Sequence, residues 1–199
     1  LDQITPIAGL QYLKAMDFSQ LSPEDERLPI ALGGFTIGTS PLEMAAGYAA
    51  LQNDGCYREP TCIIKIEDTQ GNLIYTSEPE ETGEEEGTRI YKSNAARMMT
   101  DMLQTVLVNG TGTGLGLGDM PAAGKTGTTD DNKDGWFVGY TRYYTTSIWV
   151  GYDQPQTLPG LMGSTYPGNI WHNYMMSIHE KRTPMGFVPY IEQKEVVTD

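Results

Sequence analysis

The sequence predicts an α+β fold, an antiparallel sheet packed with helices, and three observations carry that expectation. Residues 121–129, 135–141 and 145–152 are each of strand length, and the last two are joined only by Arg142-Tyr143-Tyr144, a link short enough to make them antiparallel neighbours. Two earlier segments open with helix-start signals and close at turn residues. A final helix over about 168–180 carries Ile170, Trp171, Tyr174, Met175 and Ile178, spacings that would lay one apolar stripe on the sheet.

In chain order, Thr5 is the expected N-cap of a first helix with Pro6 in its first turn, and Ile7, Leu10 and Leu13 fall near one face. Ser40-Pro41-Leu42-Glu43 combines an N-cap serine, proline at the first helical position and a glutamate three residues on, a capping box that predicts a helix over 41–52. Its small residues, among them Ala45, Ala46, Gly47, Ala49 and Ala50, allow close approach to a neighbour, and Asn53-Asp54-Gly55 ends it. Ile64 and Ile66, a turn over 68–72, and Leu73-Ile74-Tyr75 read as a short hairpin. Ser93 or Asn94 can cap a third helix whose Met98, Met99, Met102, Leu103, Val106 and Leu107 read as core. Five glycines among residues 110–118 make a loop that is either mobile or approaches something closely. The apolar runs Trp136-Phe137-Val138 and Ile148-Trp149-Val150 suit strands covered on both faces, and the glycine within each Val-Gly-Tyr (138–140 and 150–152) marks a close approach by another backbone. Residues 183–199 are expected to be an exposed tail.

With 199 residues, 39% of them apolar, the chain suffices for one packed core. Its net charge of −13 repels phosphate backbones and anionic lipid, which argues against nucleic-acid binding and against membrane contact by this segment. Much of the imbalance is one acidic run, Glu78, Glu80, Glu81, Glu84, Glu85 and Glu86, read as a solvated loop. No apolar stretch is long enough to span a bilayer. The chain opens at Leu1, so any anchor or targeting segment is expected upstream of it.

Several apparent motifs fail on spacing. Gly124-Lys125-Thr126 lacks the glycine of a phosphate loop, since Asp119 stands five residues before Gly124, and residues 127–132 cannot open a helix. The alternating glycines of 110–118 never satisfy the dinucleotide fingerprint. Asp130, Asn132 and Asp134 match the first half of a calcium loop, but Thr141 occupies the position of the bidentate glutamate, so a polar turn is the reading. His172 and His179 lie seven apart where a helical metal pair needs four. Cys56 and Cys62 fit no zinc pattern and read as two packed thiols or one local disulfide.

Lys125-Thr126-Gly127-Thr128 remains. On an edge strand it offers a cation, two hydroxyls and an unobstructed backbone, which is chemistry for the carboxyl end of an extended peptide. Together with Asp134-Gly135-Trp136-Phe137-Val138-Gly139-Tyr140-Thr141, with Trp149-Val150-Gly151-Tyr152-Asp153 and with residues 32–45, it resembles the third signature box and surrounding elements of the class A penicillin-binding proteins. The resemblance covers nearly the whole chain and implies that residues 1–182 are the C-terminal part of a transpeptidase domain, a partial fold of the penicillin-binding-protein and serine β-lactamase kind. No serine here is followed by lysine at three or by asparagine at two, so the S-x-x-K and S-x-N boxes are absent from this chain.

The resemblance implies acyl transfer between peptidoglycan stem peptides, with D-Ala-D-Ala ends and β-lactams as ligands, no metal and no cofactor. It further implies Lys125 as a source of positive potential beside the nucleophile, Thr126 and Thr128 as carboxylate ligands, Gly127 as clearance for substrate, and the Thr128 N–H as an oxyanion donor. The nucleophile, the N-terminal half of the domain, a glycosyltransferase domain and a membrane anchor holding an extracytoplasmic enzyme would lie upstream, leaving this piece inactive alone. Two other readings stay open: a non-catalytic module that binds a peptide or cell-wall fragment, and a D,D-carboxypeptidase or β-lactamase relative.

Overall fold

A computed structural model describes residues 4–77 and 87–192. The acidic run and residues 193–199 lie outside them. The main sheet is antiparallel, in the order β5 (Ala123–Thr128), β6 (Asp134–Tyr140), β7 (Thr145–Gly151), with β5 at an edge and Gly127 opposite Trp136 opposite Trp149. Helices α2 (Pro41–Gln52), α3 (Ser93–Asn109) and α4 (Tyr166–His179) pack on it, while α1 (Pro6–Lys14) contacts the short turn at Leu28–Leu32 instead. Two-residue strands β1 (Cys56–Tyr57) and β4 (Thr88–Arg89) pair with each other, and β2 (Lys65–Glu67) with β3 (Leu73–Thr76) forms the expected hairpin.

Side chains of successive strand residues alternate between faces, and the two faces of β6 have different covers. Phe137 meets α4, its ring 4.7 Å from that of Trp171. A Cβ at Gly139 would lie 2.6 Å from the Trp171 indole and 3.0 Å from Ala123 O, so this glycine admits an aromatic ring as well as the close backbone expected from sequence. On the other face Tyr140 packs with Tyr48 of α2 and Leu103 of α3, and its hydroxyl lies 2.8 Å from Thr100 Oγ1. Burial pushes the Tyr140 and Tyr48 phenols up to about 12.

The α2 capping box forms as read: Glu43 N–H donates to Ser40 Oγ, and Ser40 N–H and Oγ–H donate to the Glu43 carboxylate. Glu43 also receives the amide and hydroxyl of Ser19, tying α2 to the chain after α1. Thr5 caps α1 through Ala8 N–H.

Several expectations need correction. Ile7 is exposed, and only Leu10 of α1 is buried. Met98, Met99 and Met102 are not core but exposed, because α3 turns a stripe of Ala96, Thr100, Leu103 and Leu107 toward the sheet. Thr100 can occupy that stripe because its hydroxyl is satisfied by Ala96 C=O and Tyr140. Neither Ser93 nor Asn94 caps α3; the N-cap is Lys92, and Asn94 instead bonds the backbone N–H and C=O of Ile191. Ile170 and Tyr174 are exposed, since Gly168, Trp171, Met175 and His179 form the buried stripe of α4. β6 is covered on both faces, whereas β7 is only half-buried along its length. Cys56 is buried, Cys62 is exposed, and no disulfide joins them.

The glycine-rich loop approaches its neighbours closely. Leu115 and Leu117 are buried, and Leu115 packs against Gly168. Residues 183–192 are mostly exposed, with Phe187 half-buried edge-on against Tyr140. No helix among the described residues is long and apolar enough to cross a membrane.

Candidate active site

Residues 125–128 form the outer strand of the sheet, as their polarity requires of a strand with one unpaired side. Lys125 and Gly127 pair with Val138 and Trp136 and share the face turned toward α2 and α3, while Thr126 and Thr128 pair with Phe137 and Gly135 and share the α4 face. In an antiparallel ladder alternate residues bond the neighbouring strand. Thr129 N–H donates to Asp134 C=O at 3.0 Å, so Gly127, two residues earlier, also faces β6, which leaves the N–H and C=O of Thr126 and Thr128 on the open edge. The Lys125 side chain, exposed, reaches round that edge and its Nζ donates to Thr126 C=O at 2.8 Å.

Each threonine hydroxyl has a partner from outside the strand. Thr126 Oγ1 lies 2.5 Å from Thr111 Oγ1 in the glycine-rich loop. Thr128 Oγ1 accepts the Gly163 N–H at 3.0 Å. Gly163 lies across the Gly127–Trp136 pair, where a Cβ would stand 2.5 Å from Trp136 O, 2.7 Å from Gly127 O and 2.8 Å from Gly127 N. Only glycine allows the loop after β7 to brace the strand from beneath.

The turn after β5 is rigidly tied. Thr129 and the Trp149 indole both donate to the Asp134 carboxylate, at 3.1 and 3.0 Å, and Asn132 Nδ2 donates to Leu161 C=O at 2.9 Å. Two of the three residues that resembled half a calcium loop, Asn132 and Asp134, are thus engaged with the protein, and no metal-holding cluster occurs among the described residues. The histidines are likewise engaged: His172 Nδ1 lies 3.3 Å from Leu115 O, and buried His179 sits between Thr141 Oγ1 and Met175 O at 2.8 and 2.7 Å.

The family model for the penicillin binding protein transpeptidase domain matches residues 17–175. The chain belongs to that family. Among curated relatives, it is 31% identical over 179 residues to penicillin-binding protein 4 of Bacillus subtilis, and 36% identical over 188 residues to penicillin-binding protein 1F of the same organism. Those alignments cover 90% of this chain but only 28% and 25% of the two relatives, so it spans about a quarter of their length. The penicillin-binding protein PonA1 from Mycobacterium tuberculosis is similar in structure, with a TM-score of 0.79 and 26% identity over 94% of this chain and 53% of that one; the same holds for PonA1 in complex with penicillin V.

The sequence places Lys125 to Thr128 on an edge strand, where they are found, but does not point to Thr111 and Gly163, which bond to that strand. Both reach the strand across long sequence gaps, 15 and 35 residues, and no local pattern marks either. The only available signal was the density of glycine around Thr111.

Proposed function

We propose that this chain supplies the KTGT side of a peptidoglycan D,D-transpeptidase site within a longer class A penicillin-binding protein. The observation that carries the reading is the open edge of β5, with an ammonium at it and two hydroxyls together on one face. An extended stem peptide would pair along that edge, its terminal carboxylate received by Thr126 and Thr128, with Gly127 presenting no side chain to it. A serine hydroxyl from the preceding part of the protein would attack the carbonyl between the two D-alanines. The C–N bond breaks, D-Ala leaves, and an amine of a second stem peptide then displaces the serine. The Thr128 N–H, on the open edge, supplies one oxyanion donor, a contribution of ~10²–10³ in rate, and Lys125 lends positive potential beside the nucleophile.

The exposed Met98, Met99 and Met102 support a covering of α3 by the N-terminal half of the same domain. The length of the relatives supports further upstream parts, which we assign to a glycosyltransferase domain and to an anchor holding the enzyme outside the cytoplasm. The penicillin V complex of PonA1 supports β-lactams as ligands here.

Incubation with a fluorescent penicillin followed by denaturing electrophoresis tests the proposal. The full-length protein is expected to carry a covalent band and the 199-residue chain none. A band on the chain alone, or none on the full-length protein, overturns it.

A further inference from the structure

We infer that Thr111 is a positioning residue of the carboxylate subsite: its hydroxyl donates to Thr126 and thereby fixes the Thr126 hydroxyl as a donor toward substrate. The inference rests on the acyl-transfer reading above and adds to it a residue outside the signature box.

A hydroxyl has one hydrogen to give and two lone pairs. At Thr128 the Gly163 amide occupies a lone pair, so the hydrogen remains available to an incoming acceptor. The same result is reached at Thr126 by a different route. Its hydroxyl shares a single 2.5 Å contact with that of Thr111, and the pair holds two hydrogens, so one is left over. A carboxylate only accepts. Once it lies against Thr126 the order is forced: Thr126 gives its hydrogen to the carboxylate and Thr111 gives its own to Thr126. Such a chain of O–H groups ending on an anion is polarised along its length, which strengthens the terminal bond. Both hydroxyls of the box are therefore supported from behind, one by an amide and one by a hydroxyl, and both are left as donors on the same face of β5.

Thr111 is well placed to act as a fixed support. The amides flanking it, of Gly110 and Gly112, both donate to Val106 C=O at 3.2 and 3.1 Å, which anchors the loop to the end of α3. Leu115 N–H donates to Gly112 C=O at 3.0 Å, and the Leu115 side chain is buried beyond it. The Thr111 side chain itself is exposed, so its hydroxyl can be removed without opening a cavity.

The test compares second-order acylation constants of the full-length protein with a penicillin and with its methyl ester, in wild type, Thr111→Val, Thr111→Ser and Thr126→Val. The wild type should prefer the free acid. Thr111→Val should lose about tenfold with the acid, the effect of one charge-assisted hydrogen bond, and retain its rate with the ester. Thr111→Ser, which keeps the hydroxyl, should recover the acid rate. Equal losses on acid and ester, or failure of serine to rescue, would mark a structural role and overturn the inference. If the acid is preferred and Thr126→Val loses it while Thr111→Val does not, the inference alone fails. If wild type acylates acid and ester alike, the carboxylate reading fails and the inference with it.

Discussion

Replacing Gly163 by alanine perturbs the strand while leaving every residue of the signature box in place. The added methyl would stand 2.5–2.8 Å from three backbone atoms, Trp136 O, Gly127 O and Gly127 N. None of these belongs to a flexible side chain that could swing aside, and all lie in the β5–β6 ladder. The loop must therefore lift off, which weakens the Gly163 N–H bond to Thr128. Overpacking of this kind costs ~1–3 kcal/mol and the lost hydrogen bond about 1 kcal/mol more, roughly 2–4 kcal/mol together. For a domain of this size that corresponds to a fall of about 5–15 °C in melting temperature. Thermal melting of the full-length protein, followed at the transition that penicillin binding shifts, reads it, and penicillin acylation should slow about tenfold as Thr128 loses its support. Gly116→Ala serves as control, since a Cβ there meets nothing within 4 Å and its melting should be unchanged. A Gly163→Ala protein that melts and acylates like wild type would refute the claim that this loop braces the strand.

Three further outcomes are expected. Burial pushes the Glu43 carboxyl up, but the hydrogen bonds from Ser19 and Ser40 outweigh it and hold the group at about 2, against an ordinary 4.5. The stabilisation is then complete above pH 4.5 and is lost as pH falls toward 2, on the order of 1 kcal/mol once solvent screening is allowed for; Glu43→Gln should flatten the acid limb of a melting-temperature profile, and an unchanged limb contradicts the assignment. Thr141→Val removes the acceptor of the Tyr143 and Tyr144 amides and the partner of buried His179, and should cost about 1–3 kcal/mol in urea unfolding; a change under about 0.5 kcal/mol would show the corner does not depend on it. The 199-residue chain alone should self-associate in sedimentation through its exposed methionine face, and Met98→Lys with Met102→Lys should reduce that association; a monomer before mutation counts against the covering of α3.

Elements whose determinants are local were legible in the sequence. The α2 capping box needs only Ser40, Pro41 and Glu43, and it forms at the residues read. The β6–β7 pairing follows from the shortness of the link at 142–144, and the edge position of β5 from its polarity. What escaped depends on contacts made across the chain. The facing of α3 is decided by a buried threonine whose hydroxyl finds Tyr140 forty residues later, so an apolar count ranked Met98 and Met102 above Thr100. Gly168 lets α4 rotate Trp171 and Met175 inward and leaves Ile170 and Tyr174 outside, which spacing alone does not distinguish. In the site, the box was visible as a run of residue types, whereas Thr111 and Gly163 matter only through where the fold carries them.

The proposed acyl transfer requires that the open edge of β5 receive the carboxyl end of an extended peptide on the hydroxyls of Thr126 and Thr128. A crystal structure of the full-length protein acylated by a penicillin tests it most directly. The carboxylate of the adduct should lie within hydrogen-bond distance of both hydroxyls, with the acyl oxygen on the Thr128 N–H. A carboxylate held by other residues, with Thr126 and Thr128 still bonded only to Thr111 and Gly163, would contradict it.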